Sequence, residues 1–196
     1  MKSVLLLVTL LIGLFAKTLA QSTPSPAPAM RLTSTAFADG GVIPDRFTQA
    51  APGVAPGFGT SPALNWTNVP AGTKSFVLHM HDVDVARNKT TEDVLHWLVW
   101  NLPATLTSLP EGIPAGVQLP DGSYQMNISG TAYRGPGAPA SGPLHHYVFE
   151  LYALDNVPDV KPGTDGPSTR VTLLQAIQGH ILGKAVTVGL FRRPQP

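Results

Sequence analysis

The chain has 196 residues, of which 43% are hydrophobic and 13% are charged, with a formal net charge of +1 and no cysteine. This length can bury the core of one domain, and the composition excludes extensive disorder. The sequence has no basic cluster of the kind that nucleic-acid-binding proteins need, and the lack of cysteine excludes disulfides and thiolate metal sites. The 19 glycines and 20 prolines follow no collagen-like period and favour a β-rich fold with many turns.

The N-terminus predicts that the protein is exported. Residues 1–20 combine a basic start, an apolar run from Val4 to Phe15 and a final alanine, which is typical of a signal peptide. The alternative is an uncleaved membrane anchor. Residues 21–29 are rich in proline, serine and alanine, and this composition predicts a linker. We expect residues 30–196 to form a single domain. We therefore expect a periplasmic or extracellular protein whose mature chain has no transmembrane segment.

Four later segments predict strands, and one predicts a helix. Aromatic and β-branched residues concentrate in the strand segments Lys74–Asp82, Leu95–Leu102, His145–Leu154 and Ala185–Phe191. Apolar residues at helical spacing predict a helix from about Ser168 to Leu182, with Gly183 as its stop. The long irregular stretches between these segments are typical of functional loops.

Polar residues gather at the ends of the predicted strands. Asp82 ends the first strand, and His96 opens the second. His145 and Tyr147 share one face at the start of the third strand, because alternate residues of a strand point the same way. One aspartate, two histidines and one tyrosine beside loops rich in glycine and proline are therefore the best candidate for a functional site.

Two kinds of catalytic or metal site fit these residue types in part. The order His79, His81, Asp82 and Asp84 suggests a divalent-metal site, although the aspartate–histidine pair of metallo-β-lactamase-like hydrolases is out of register here. A nucleophile-based enzyme has less support. The sequence has no G-x-S-x-G elbow, no cysteine, no P-loop and no dinucleotide fingerprint.

The third kind of site is an anion pocket. Imidazolium N–H groups, a tyrosine hydroxyl and backbone N–H groups of a glycine-rich loop can hold phosphate or carboxylate. Asp82 would then orient a histidine or share a proton with the ligand, because a carboxylate facing a dianion directly would be repelled. Alternatively, these histidines only satisfy buried polar positions.

Six short motifs follow one another along the chain. They are Ser61–Trp66 (SPALNW), Val69–Phe76 (VPAGTKSF), His81–Asp84 (HDVD), Leu95–Pro103 (LHWLVWNLP), Tyr133–Pro136 (YRGP) leading to His145–Phe149 (HHYVF), and Ala176–Leu182 (AIQGHIL). Their order and spacing over roughly residues 30–193 resemble the bacterial branch of the phosphatidylethanolamine-binding (Raf kinase inhibitor-like) family.

The resemblance implies a mainly β fold, with two antiparallel sheets in Greek-key arrangement and a few peripheral helices. It also implies a small pocket for phosphate-like head groups or other anions. Carried onto this sequence, the pocket residues are Asp82, Asp84, His96, Gly135, Pro136, Pro139, His145 and Tyr147. Val83 stands where the family's acidic motif usually has proline, and His146 stands where it usually has arginine.

We therefore expect an anion-binding protein without catalytic activity, resident metal or cofactor. Phosphate and phosphoethanolamine are the expected ligands, with His96, His145 and Tyr147 as hydrogen-bond donors and Asp82 setting the protonation of the site. A second hypothesis from the same resemblance is inhibition of a protease or another protein partner. A third is a metal-dependent or Asp/His-dependent hydrolase.

Overall fold

The computed structural model describes residues 28–195 of the chain. The predicted signal peptide and residues 21–27 of the predicted linker lie outside this range. Within it, no helix combines the length and the apolar character that crossing a membrane requires.

Strands dominate the described residues, and one α-helix lies near the C-terminal end. The strands are β1 (Arg31–Ser34), β2 (Gly41–Val42), β3 (Leu64–Thr67), β4 (Ser75–Asp82), β5 (Val94–Pro103), β6 (Ser108–Leu109), β7 (Tyr124–Met126), β8 (His145–Leu154) and β9 (Ile181–Phe191). The helix α1 spans Gly166–Ala176, and single 3₁₀ turns occur at Asp45–Phe47 and Arg87–Lys89.

The strands form two sheets. A three-stranded sheet has the order β1-β3-β6, and a six-stranded sheet has the order β2-β9-β8-β4-β5-β7. Neighbouring strands are antiparallel, except that β2 pairs in parallel with β9. The prediction of a mainly β fold with two sheets is confirmed, with this one parallel pairing added.

The central strand β4 is buried on both faces because it carries apolar side chains at successive positions. Phe76, Leu78 and Met80 point into the core between the two sheets, where they pack with Trp97 and Phe149. Full burial of a large apolar side chain contributes about 1.5–3 kcal/mol relative to exposure. This core holds β4 rigidly between β5 and β8, the two strands that carry the remaining candidate residues.

The other face of the six-stranded sheet has a smaller apolar core. Val77, Leu98 and Trp100 of the sheet pack there with Leu173 and Ile177 from the helical segment. Helix α1 therefore covers part of this outer face.

The helix begins where its sequence favours a start and ends earlier than predicted. Asp165 caps it, accepting a hydrogen bond from the backbone N–H of Ser168 at 2.8 Å. The predicted end at Leu182 is wrong, because the helix stops at Ala176 and β9 already begins at Ile181. Gly179 lies between them with a φ of 81°, a left-handed conformation that ends the helical path.

The buried face of α1 generates a prediction about stability. Leu173 is fully buried, whereas Val171 on the same helix is 49% exposed. Leu173→Ala should lower the free energy of unfolding by about 2–5 kcal/mol through lost burial and a cavity. Val171→Ala should change it by less than about 0.5 kcal/mol. Urea denaturation of both variants tests this, and similar losses in the two would contradict the packing described.

Candidate functional site

The predicted site residues meet because of how β4 pairs with its neighbours. β4 runs antiparallel to both β5 and β8, so its last residue lies between the first residues of those two strands. Asp82 is accordingly paired with Val94 on one side and with Tyr147 on the other. The end of β4 and the starts of β5 and β8 therefore form one edge of the sheet.

A β-bulge in β5 directs His96 towards this edge. Met80 pairs with Trp97 and His81 pairs with Leu95, so His96 is an extra residue in β5. An extra residue of this kind redirects the side chains that follow it. The imidazole of His96 packs edge-on against the phenol ring of Tyr147, with the ring centroids 5.0 Å apart.

A small cavity of about 290 Å³ opens at this edge. Its lining includes five of the eight predicted site residues, Asp82, His96, Pro139, His145 and Tyr147. Asp84, Gly135 and Pro136 are not part of the lining, although each lies next to it in the sequence or the fold. The volume is near the lower limit for small-molecule sites, which suits a ligand of only a few non-hydrogen atoms.

Asp82 and His145 form a hydrogen-bonded pair on the cavity wall. The Nδ1–H of His145 donates to Asp82 Oδ2 at 2.8 Å, because a carboxylate can only accept. The other oxygen, Oδ1, accepts a hydrogen bond from the backbone N–H of Asp84 at 3.1 Å. Asp82 is almost fully buried, and these donors compensate for the loss of water around its charge.

Tyr147 is held by the loop that follows Pro136. Its hydroxyl oxygen accepts hydrogen bonds from the backbone N–H groups of Gly137 and Ala138, both at 3.1 Å. Burial and the nearby charge of Asp82 raise the pKa of Tyr147 far above its usual value. The phenol therefore stays protonated, and its hydrogen can be donated.

His96 has a different role from the donor role expected from the sequence. Its Nδ1 lies 2.9 Å from the carbonyl oxygen of Arg134, so this nitrogen must carry the proton and donate. Burial lowers the pKa of His96 to about 4. The ring is therefore neutral at pH 7, and its Nε2 is a hydrogen-bond acceptor. A ligand that carries a proton donor fits this nitrogen.

The three predicted residues outside the lining support the cavity, and one of them, Pro136, accepts a hydrogen bond at its carbonyl oxygen from the backbone N–H of Gln49 at 2.9 Å. Asp84 Oδ2 accepts hydrogen bonds from the backbone N–H of His146 at 2.5 Å and from its Nδ1 at 3.0 Å, which ties the loop after β4 to β8. The carbonyl oxygen of Gly135 accepts a hydrogen bond from Gln49 at 2.7 Å. A Cβ at Gly135 would lie 2.8 Å from the backbone of Thr48, so only glycine allows this close approach.

Arg134, Arg193 and Gln49 also line the cavity, and sequence reasoning did not assign them to it. Arg193 donates a hydrogen bond to the carbonyl oxygen of Gly137 at 2.6 Å. Burial and the charge of Arg193 both lower the pKa of Arg134. Arg193 could be assigned to the cavity only from the antiparallel pairing of β8 with β9. That pairing places Phe191 opposite His145.

A metal ion is a second possible occupant of this edge. Asp82, Asp84 and His145 each offer one ligand atom within 4.8 Å of the other two. One imidazole and two carboxylates are ligands that several divalent cations accept. The two arginines that line the cavity oppose a cation there, because like charges repel.

His79 and His81, considered as metal ligands from the sequence, are not part of the cavity. They share one face of β4, as predicted, but Asp82 points to the opposite face. Their environment also differs. Although burial opposes it, the hydrogen bond to Asp93 and the nearby carboxylate of Glu150 raise the pKa of His81 to about 9. The structure thus separates two polar groups that the sequence places side by side.

The fold and the site together define the class of this protein. It is a two-sheet β protein with a small polar cavity at one edge of the larger sheet. The model of the family described as "Phosphatidylethanolamine-binding protein" matches residues 33–192 of the chain. The chain belongs to this family. The resemblance carried by the six motifs is confirmed.

Similar proteins come from archaea and bacteria. A UPF0098 protein of Methanothermobacter thermautotrophicus is 43% identical over 166 residues, which are 84% of this chain and 99% of that protein. YbhB of Escherichia coli is 40% identical over 141 residues, covering 70% of this chain and 86% of the relative.

Two solved structures share the fold. A phosphatidylethanolamine-binding protein homologue from Chlamydia trachomatis has a TM-score of 0.68 at 33% identity, covering 84% of this chain and 98% of that one. YbcL of Escherichia coli has a TM-score of 0.66 at 27% identity, covering 84% and 99%.

Buried, neutral His96 predicts a pH dependence of stability. Its pKa in the folded protein is lower than in the unfolded chain, so below pH 6.5 only the unfolded chain takes up the proton. Stability is therefore lost as the pH falls from about 6.5 towards about 4, by up to about 3 kcal/mol in total. His96→Asn keeps an N–H donor near the carbonyl of Arg134 but removes this titration.

Urea denaturation at pH 7 and pH 4.5 tests this prediction. The wild type should lose about 2–3 kcal/mol more between the two pH values than His96→Asn does. His180→Asn, at an exposed histidine, should lose as much as the wild type. Equal losses in all three proteins would mean that His96 is not neutral in the folded state.

Proposed function

We propose that the protein binds a small phosphate-like anion, either free phosphate or a phosphorylated head group, without turning it over. The observation that carries this proposal is that Arg134, Arg193, His145 and Tyr147 all line one cavity of about 290 Å³. Guanidinium groups and phenolic O–H groups are strong donors to phosphate oxygens. Membership of the phosphatidylethanolamine-binding family supports this ligand class.

The hydrogen-bond network gives each cavity residue a role. Asp82 holds the Nδ1–H of His145, which leaves Nε2 of His145 directed away from the carboxylate. A proton taken up on that Nε2 gives a second imidazole donor, and Asp82 compensates its charge. The arginines supply the remaining positive charge without any proton uptake.

His96 narrows the ligand class further. Its Nε2 is an acceptor, because Nδ1 donates to the carbonyl of Arg134 and the ring is neutral. An anion whose oxygens are all unprotonated would face a lone pair there. A monoprotonated phosphate or phosphate monoester places a P–OH at this nitrogen, and its charged oxygens then face the arginines. Phosphoethanolamine carries an ammonium group as an alternative donor.

Binding without turnover fits the lining of the cavity. Among the described residues that line it, none is serine, threonine, cysteine or lysine. The one carboxylate, Asp82, is buried and engaged by His145. A nucleophilic attack would require breaking that pair in a buried position. A panel of phosphate esters, followed for release of phosphate, should therefore give no turnover.

Phosphate affinity tests the proposed role of the arginine and histidine donors. Titration of inorganic phosphate and of phosphoethanolamine, followed by NMR, should shift signals of residues around His145. Arg193→Gln and His145→Asn should each lower the affinity by about tenfold or more, because each removes a donor whose hydrogen bond to the charged ligand is worth about 1.5–3 kcal/mol.

Arg192→Gln is the matched control for this titration. Arg192 is exposed, donates only to the carbonyl oxygen of Gly142, and does not line the cavity. Its replacement should leave the affinity unchanged within about twofold, since it removes only an exposed charge near the site. Unshifted signals at millimolar phosphate, or equal effects of the Arg192 and Arg193 variants, would contradict the proposal.

We also propose that the protein acts outside the cytoplasm, on the basis of residues 1–20. Expression of the full chain in a bacterial host should give a processed periplasmic or secreted protein that begins at Gln21. N-terminal sequencing of the fractionated protein measures this. An unprocessed protein that stays in the membrane fraction would support the anchor alternative.

A further inference from the structure

A second polar cluster lies on the opposite face of the six-stranded sheet from the cavity. His79 and His81 alternate with Met80 and Asp82 along β4, so they point to the outer face that α1 partly covers. Glu150 of β8 is the direct cross-strand partner of His79. Two histidines two residues apart on one strand and a carboxylate opposite them therefore converge on one point.

The distances in this cluster match those between ligands of one metal ion. Nδ1 of His79 lies 3.3 Å from Glu150 Oε2, and Nε2 of His81 lies 3.6 Å from the same oxygen. One atom from each residue lies within 4.8 Å of the other two. Ligands about 2.0–2.1 Å from a tetrahedral zinc ion are roughly 3.3 Å apart. Reaching that spacing requires one of the two imidazole rings to rotate.

His79 is buried and His81 is half-buried, and the Nε2 atom of each ring is buried without a hydrogen bond. His79 is 4% exposed, and Nε2 of His79 and of His81 has no hydrogen-bond partner among residues 28–195. A buried nitrogen without a partner calls for an explanation, and a bound ion is one of the standard ones. An ion beside Glu150 would give Nε2 of His81 a partner.

The surrounding residues orient these ligands as outer-shell residues do at metal sites. Nδ1 of His81 is hydrogen-bonded to Asp93, which also accepts a hydrogen bond from Arg170 of α1. A carboxylate that holds the second nitrogen of a histidine is the usual partner of a metal-ligating imidazole. The hydroxyl of Tyr152 donates to Glu150 Oε2 at 2.7 Å and so orients the third ligand.

We propose that His79, His81 and Glu150 form a binding site for a zinc-like divalent transition-metal ion, with a water molecule as fourth ligand. Two histidines and one glutamate are a known zinc ligand set that leaves one position open. The side chains of His81 and Glu150 are 13% and 14% exposed, so the cluster lies close to the surface of the sheet. Arg170 and Lys184 balance the charges of Asp93 and Glu150.

Metal binding has two structural consequences in this cluster. The rings of His79 and His81 are stacked, with centroids 4.2 Å apart and planes 13° from parallel. One ring must rotate so that a nitrogen of each faces the same ion. The ion also replaces the proton on Nε2 of His81, so binding releases a proton to the solvent.

Zinc binding to the purified protein tests the site. Competition with a chromophoric chelator should give one strongly bound Zn²⁺ per chain. His81→Gln and Glu150→Gln should each weaken it by about 100-fold or more, and Asp93→Asn by about 10-fold or more. His145→Asn, at the cavity on the other face, and His180→Gln, at an exposed histidine paired with Asp155, should keep the bound equivalent.

X-ray absorption spectroscopy of the zinc-loaded wild type identifies the metal ligands even if the variants fail to fold. A first shell with two imidazoles at about 2.0 Å supports the proposal. One imidazole would place the ion at Asp82, Asp84 and His145 instead, and would overturn the proposal. The absence of stoichiometric zinc binding, or loss of the bound equivalent in His145→Asn, would overturn it as well.

Discussion

The antiparallel pairing of β4 with both β5 and β8 is the constraint from which the cavity follows. It places the end of β4 between the starts of its two neighbours, so Asp82 meets residues far away in the sequence. The bulge at His96 then adds the second imidazole to the same edge. Loop residues complete the wall only because this edge is fixed by the buried core behind it. The pairing of the strands therefore sets the geometry of the cavity, and the loops complete its wall.

The two faces of the six-stranded sheet give the same residue type opposite protonation states. His96 is enclosed without a carboxylate partner of its own, and burial lowers its pKa to about 4. His81 is partly enclosed as well, but the hydrogen bond to Asp93 and the nearby carboxylate of Glu150 outweigh burial and raise its pKa to about 9. Desolvation and a paired charge shift the pKa of a histidine in opposite directions. Desolvation dominates on one face of this sheet, and the paired charge dominates on the other. A histidine count from the sequence carries no such information.

The long strands and most of the cavity floor could be predicted from the sequence. β4, β5 and β8 are rich in aromatic and β-branched residues, and the alternation of residues along them already placed Asp82, His96, His145 and Tyr147 at their ends. The end of α1 could not be predicted, because Ile181 continues the helical spacing although it belongs to β9. Gln49 and Arg193 were missed because long-range strand pairing and close loop packing, rather than local patterns, bring them to the cavity.

The bulge in β5 also affects how sequences of this family should be compared. His96 and Trp97 both face the inner side of the sheet, whereas Leu95 faces the outer side. Removal of one residue from β5 would restore regular pairing and turn this imidazole away from Tyr147. An alignment that places a gap inside this strand would thus assign the cavity-lining position to the wrong column. Homology searches for the cavity should therefore penalise gaps here more heavily than substitutions.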